Sequence, residues 1–156
     1  MANRSVFTLA AIVMLLFFLA SHVDNYFFLL HFLEAVIYAV ILLLLFYGLE
    51  DWAYVLGFLT PLVWMVLTIL SGTLLAGLRA LGALVAMGPV DDVLGLVTGL
   101  IFLAALALLV VSARAYKREV WGRPGALRVF VGAAVAVMVY YAAVLFTLYR
   151  MVLPTR

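Results

Sequence analysis

Phe27–Tyr47 reads FFLLHFLEAVIYAVILLLLFY. A bilayer's hydrocarbon core is ~30 Å thick and takes ~20 apolar helical residues to cross. This run meets that length with two ionisable interruptions, His31 and Glu34. A charged carboxylate at such a depth costs roughly 3 kcal/mol on insertion scales. Groups of this kind pair, stay neutral or face a polar cavity. Glu34 is therefore the first candidate for a functional group, with His31 one turn before it and Tyr38 one turn after.

The rest of the chain repeats the pattern. Of 156 residues, 71% are hydrophobic and 10% charged, where soluble domains hold nearer 45–50% and 25%. The expected fold is all-α: a single integral membrane bundle over residues 1–156, with five transmembrane helices at Val6–Ala20, Phe27–Tyr47, Trp52–Leu75, Val93–Ala115 and Val129–Val152. Arg4, the apolar run after it and Leu19-Ala20-Ser21 have the layout of a signal peptide; the segment is read instead as a short first span that needs tilted neighbours, local thinning or help from its flanks. Gly48 with Glu50-Asp51 makes a tight turn. Between the third and fourth spans, Leu78, Leu81, Leu84 and Val85 recur at helical spacing around Arg79, which predicts a short interfacial helix ended by Gly88-Pro89. Pro61 is expected to kink the third span.

Lys and Arg set the orientation. One side carries Arg4, Arg114, Lys117, Arg118, Arg123 and Arg128; the other carries Arg79, Arg150 and Arg156. The positive-inside rule then makes this a multi-pass protein of the cell membrane with its amino terminus cytoplasmic and its carboxyl terminus outside. The same rule absorbs the net charge of +2, so the lipid bilayer is the expected partner and nucleic acid is not. There is no cysteine, which excludes disulfides, thiolate metal sites and a Cys nucleophile.

Projection at 100° per residue gives each span one polar or small-residue stripe. Asp24, His31, Glu34 and Tyr38 fall within an arc of ~80°. Gly57, Thr60, Trp64, Thr68 and Ser71 share a face of the third span. Asp91, Gly95, Gly99 and Phe102 share one on the fourth, with Thr98 at its edge. Gly132, Ala136, Tyr140, Ala143, Thr147 and Arg150 share one on the fifth. Small residues let helix backbones approach and hydroxyls bond across helices; Gly95-x-x-x-Gly99 is the packing motif of this kind. Asp91-Asp92 is placed to cap the fourth span. With alternating direction, Asp24, His31, Glu34, Thr68, Ser71, Asp91, Thr98, Thr147 and Arg150 all fall in the outer half of the membrane. They outline an outward-facing polar pocket closed below by Trp64, Tyr38 and Tyr140.

The expected ligand- or proton-binding set is thus Glu34, His31, Asp24, Tyr38, Thr68, Ser71 and Arg150. His31 and Glu34, three apart on a helix, can touch. His22, Asp24, His31 and Glu34 also offer a mixed nitrogen and oxygen donor set for a metal, although His22 and His31 point nearly opposite ways on a continuous helix. No nucleophile–base pair, phosphate loop or zincin pattern is present, so no enzymatic reaction is read and no cofactor is named. Three functions remain: binding or transport of a small solute or protons at the His31/Glu34 pocket, by a homo-oligomer of this chain; an accessory subunit of a larger membrane complex, where the polar residues only pack; and a metal- or haem-binding redox protein.

Overall fold

The computed structural model describes residues 2–152 and contains six helices in that range: α1 Ala2–Val23, α2 Phe28–Phe46, α3 Glu50–Leu70, α4 Thr73–Val85, α5 Val93–Glu119 and α6 Ala126–Val152. All but α4 are long and apolar enough to cross a membrane. Arg156 lies outside the described residues.

The first span is longer than its hydropathy core. α1 extends over Asn3-Arg4-Ser5 at one end and Ser21-His22 at the other, because a helix terminus at the interface can hold polar residues that the hydrocarbon cannot. Its 22 residues span about 33 Å at 1.5 Å each, so no thinning is needed. The third span ends earlier than expected, at Leu70, where Gly72 takes a left-handed conformation (φ +77°) and the chain turns into α4. Helix α3 continues through Pro61, whose missing N–H leaves the Gly57 carbonyl without its usual donor.

Helices α1, α2, α3 and α5 form a ring: α1 packs on α2 and α5, and α3 on α5 and α2. α4 lies against α5 and α3; α6 docks on α3 and α2 and meets the end of α5 only with its first turns, where the Tyr116 hydroxyl donates to Ala126 O at 3.3 Å and the Tyr116 and Phe130 ring centres lie 6.3 Å apart. Val6, Ala10, Val13 and Phe17 of α1 are fully enclosed, together with Tyr38 and Ile41 of α2, Val55 and Thr60 of α3, and Ala105 and Leu108 of α5. The turn after α2 is closed by Gly48 at φ +75°, with Leu49 N–H donating to Leu44 O at 2.8 Å and Gly48 N–H to Leu45 O at 3.2 Å, the paired bonds that satisfy a helix's last carbonyls. α4 ends the same way, but its left-handed residue is Met87 (φ 54°), one before the glycine that marks the stop in sequence.

The Gly95/Gly99 face is used inside the chain. A Cβ on Gly77 of α4 would meet Gly99 N at 3.0 Å, and one on Gly99 would meet Gly77 O and the Leu81 side chain at 2.7 Å. Only paired glycines allow this crossing. Asp92 caps α5, its Oδ1 accepting from Gly95 N–H at 2.7 Å; Asp91 is exposed.

The stripe expected on the last span is displaced by one position. Its buried residues are Ala133, Val137, Tyr141 and Val144, whereas Ala136, Ala143 and Arg150 are exposed. α6 is apolar on every side and touches its neighbours along a narrow line, so polarity does not reveal which face docks.

Candidate functional site

At the junction of α1 and α2, the Asp24 N–H donates to Ala20 O at 2.9 Å and finishes α1. Asp24 Oδ1 then accepts from the Tyr26 and Phe27 N–H groups, both at 3.2 Å. An aspartate that holds amides two and three residues ahead is a local turn-former, and it reverses the chain into α2. Its second oxygen, Oδ2, is left facing His31 Nε2 at 3.5 Å. His31 Nδ1 lies 3.1 Å from Glu34 Oε2, the i,i+3 contact that one helical turn permits. The imidazole therefore stands between two carboxylates. The three side chains keep only 18%, 15% and 12% of their surface (His31, Asp24, Glu34), so they are sheltered without being sealed.

Donor counting constrains this arrangement. A neutral imidazole has one N–H and one bare nitrogen, and a bare nitrogen repels a carboxylate oxygen. Both contacts are attractive if the ring carries both protons, or if it carries one and a neighbouring carboxyl carries the other.

One turn below Glu34, Tyr38 is fully buried and stacks on Phe17 (centroids 5.6 Å apart), which meets Trp64 edge-on at 5.4 Å. This aromatic layer joins α1, α2 and α3. Tyr140 of α6 donates its hydroxyl hydrogen bond to Leu33 O, beside Glu34.

The other expected members are not brought to the trio. Thr68 is buried and returns its hydroxyl to Trp64 O of its own helix at 2.8 Å. Ser71 is exposed and bonds Thr68 O at 3.1 Å and the Thr73 hydroxyl at 2.9 Å. Thr98 and Thr147 likewise bond Leu94 O and Ala143 O, each at 2.9 Å. These hydroxyls satisfy themselves three or four residues back, where they need no partner helix, instead of bridging between spans. Arg150 is exposed with its guanidinium 5.1 Å from the Phe146 ring centre. His22 Nδ1 lies 2.8 Å from Phe18 O and does not join Asp24, His31 and Glu34. Among the described residues, no three His, Asp or Glu side chains converge as a metal-ligand set.

The two best-formed clefts lie elsewhere and are shallow. One, of about 390 Å³, is lined by Asn3, Arg4, Phe7, Thr8, Leu45 and Phe46; the other, of about 310 Å³, lies between α4 and the segment leading to α5.

A second polar cluster sits at the opposite end of the bundle and was not visible in any stripe. Asn3 of α1 donates to the Glu50 carboxylate of α3. The Tyr54 hydroxyl reaches both the Asn3 side-chain oxygen and Glu119 Oε2 of α5, the latter at 3.0 Å. Arg118 donates to Glu119 Oε1 at 2.8 Å, and Arg123 faces Asp51 at 3.4 Å. Its signal was topological: alternating spans return residues 3, 50 and 119 to the same end, and Tyr54 follows Glu50 by one turn.

No protein family matches this chain, and no curated protein or solved structure resembles it.

Proposed function

We propose that this chain is a multi-pass protein of the cell membrane that takes up a proton, alone or with a small solute, at Asp24–His31–Glu34 and uses it in binding or transport. The observation that carries this reading is the imidazole held between two carboxylates, 3.1 Å from Glu34 and 3.5 Å from Asp24. Keeping ionisable groups within an apolar span is expensive unless they are used, and an imidazole between two carboxylates is a place where a proton can be held. The six basic residues at the amino-terminal end support a cytoplasmic amino terminus, which leaves the trio toward the outside.

The test is a pH titration of the purified protein followed by the carboxyl infrared band and the imidazole nitrogen resonances of His31. A single coupled transition is expected in the wild type, and Glu34→Gln should remove it while leaving the helical fold intact. The same transition in Glu34→Gln would exclude the reading. Reporter fusions after Gly122 and after Thr155 should fall on opposite sides of the membrane.

A second reading has two observations in its favour. Neither of these two shallow clefts opens at the trio, and Asp24 also serves the α1–α2 turn. These fit an accessory subunit of a larger membrane complex, which would co-purify with its partners in mild detergent.

A further inference from the structure

Three side-chain hydroxyls are enclosed in the ring without any hydrogen-bond partner: Tyr38 on α2, Thr60 on α3 and Ser112 on α5. All three residues have no exposed surface. Buried polar atoms are nearly always paired with protein or ordered water. In a membrane core, where bulk water offers no alternative, orphans are still less expected. Their placement is also not scattered. Tyr54, Gly57 and Thr60 lie three residues apart on α3, a rise of ~4.5 Å per step. Tyr54 belongs to the Asn3–Glu50–Glu119 cluster. Ser112 reaches α3 at Gly57: its Oγ stands 2.5 Å from where a Gly57 Cβ would be, so only glycine leaves it room. Thr60 follows, and its carbonyl accepts from the Tyr141 hydroxyl of α6 at 3.3 Å. Tyr38 lies one turn from Glu34 on α2.

We propose that these hydroxyls, with internal water between them, form a proton path through the bundle from Asp24–His31–Glu34 to Glu119. The inference rests on the reading of the trio as a proton site and extends it from uptake to conduction. A hydroxyl both donates and accepts, so it can take a proton on its oxygen while passing its own onward. A buried hydroxyl without a protein partner can bond an internal water. One proton leaves the trio, each hydroxyl or water in turn gains one O–H bond and loses another, and the Glu119 carboxylate gains the last. Release from Glu119 to the aqueous phase beside Arg118 and Glu50 returns it to a carboxylate, and rotation of the hydroxyls resets the path. No electrons are exchanged.

The protein is reconstituted in vesicles holding a pH-sensitive dye, and a potassium diffusion potential drives proton entry. Wild type should conduct well above protein-free vesicles. Ser112→Ala and Thr60→Val, which keep side-chain volume, should each lower the flux at least tenfold with unchanged thermal unfolding. In Ser112→Ala the pH transition of the trio should persist, which separates a broken path from a broken site. Flux no greater than vesicle leak, or equal flux in both variants and wild type, would overturn the path while leaving the trio's titration as measured. Absence of that titration in the wild type would remove the site and the path together.

Discussion

At the end of the bundle that carries the amino terminus, Asn3, Glu50, Tyr54 and Glu119 arrive from α1, α3 and α5 and are joined by hydrogen bonds. At the other end, Asp24, His31 and Glu34 come from one turn and the helix after it. The first cluster exists only when three helices have packed; the second needs only a reversed chain and one helical turn. A locally built polar group should be alterable with little damage to the fold, whereas a long-range one should not. The long-range cluster also fastens the ends of three helices.

The sharpest way to break this contrast is at the α4–α5 crossing, which lies at the trio's end yet depends on tertiary contact. Gly99→Leu should force the helices apart, since even a Cβ there comes within 2.7 Å of Gly77 O. Thermal unfolding in detergent should show a loss of about 3 kcal/mol, the upper part of the overpacking range. An unchanged transition would mean that α4 is not seated on α5. Tyr54→Phe should cost about 1 kcal/mol, typical of a hydrogen bond between helices in a membrane, and the loss should shrink when Asn3 is already Ala. If the two losses simply add, the cluster is not a unit. Glu34→Leu should leave stability within about 1 kcal/mol of wild type, or raise it, because a buried ionic contact is a poor source of stability; the coupled pH transition should vanish all the same. A large loss of stability would place the trio in the same class as the Tyr54 cluster. Arg150→Ala should be smallest, within about 0.5 kcal/mol, as expected for an exposed cation over a ring.

What was legible in the sequence follows the same division. The five apolar spans, the short helix before α5 and the His31–Glu34 contact depend on runs and spacings along the chain, and all are present. Asp24 reaches His31 as well, though through the α1–α2 turn and not from a continuous helix as the projection assumed. The span ends were misplaced where polar residues extend α1 and where Gly72 stops α3. The α6 stripe failed because its polar and small residues do not mark its docking face. The expected gathering of Thr68, Ser71 and Arg150 failed because a hydroxyl on a helix has an acceptor three or four residues back and an arginine near a helix end can reach outward. Ser112, a single serine in a long apolar helix, gave no sign that it would meet Gly57 across the ring.

Helix α6 passes by its predecessor. The chain between α5 and α6 runs along the first turn of α3, where Arg123 faces Asp51, and α6 then settles on α3 and α2. During synthesis, the surface that receives the final span is therefore complete before that span leaves the ribosome. The ring of four can close around its buried hydroxyls first, and α6 joins as a late addition that brings Tyr140 and Tyr141 to a platform already standing in the bilayer.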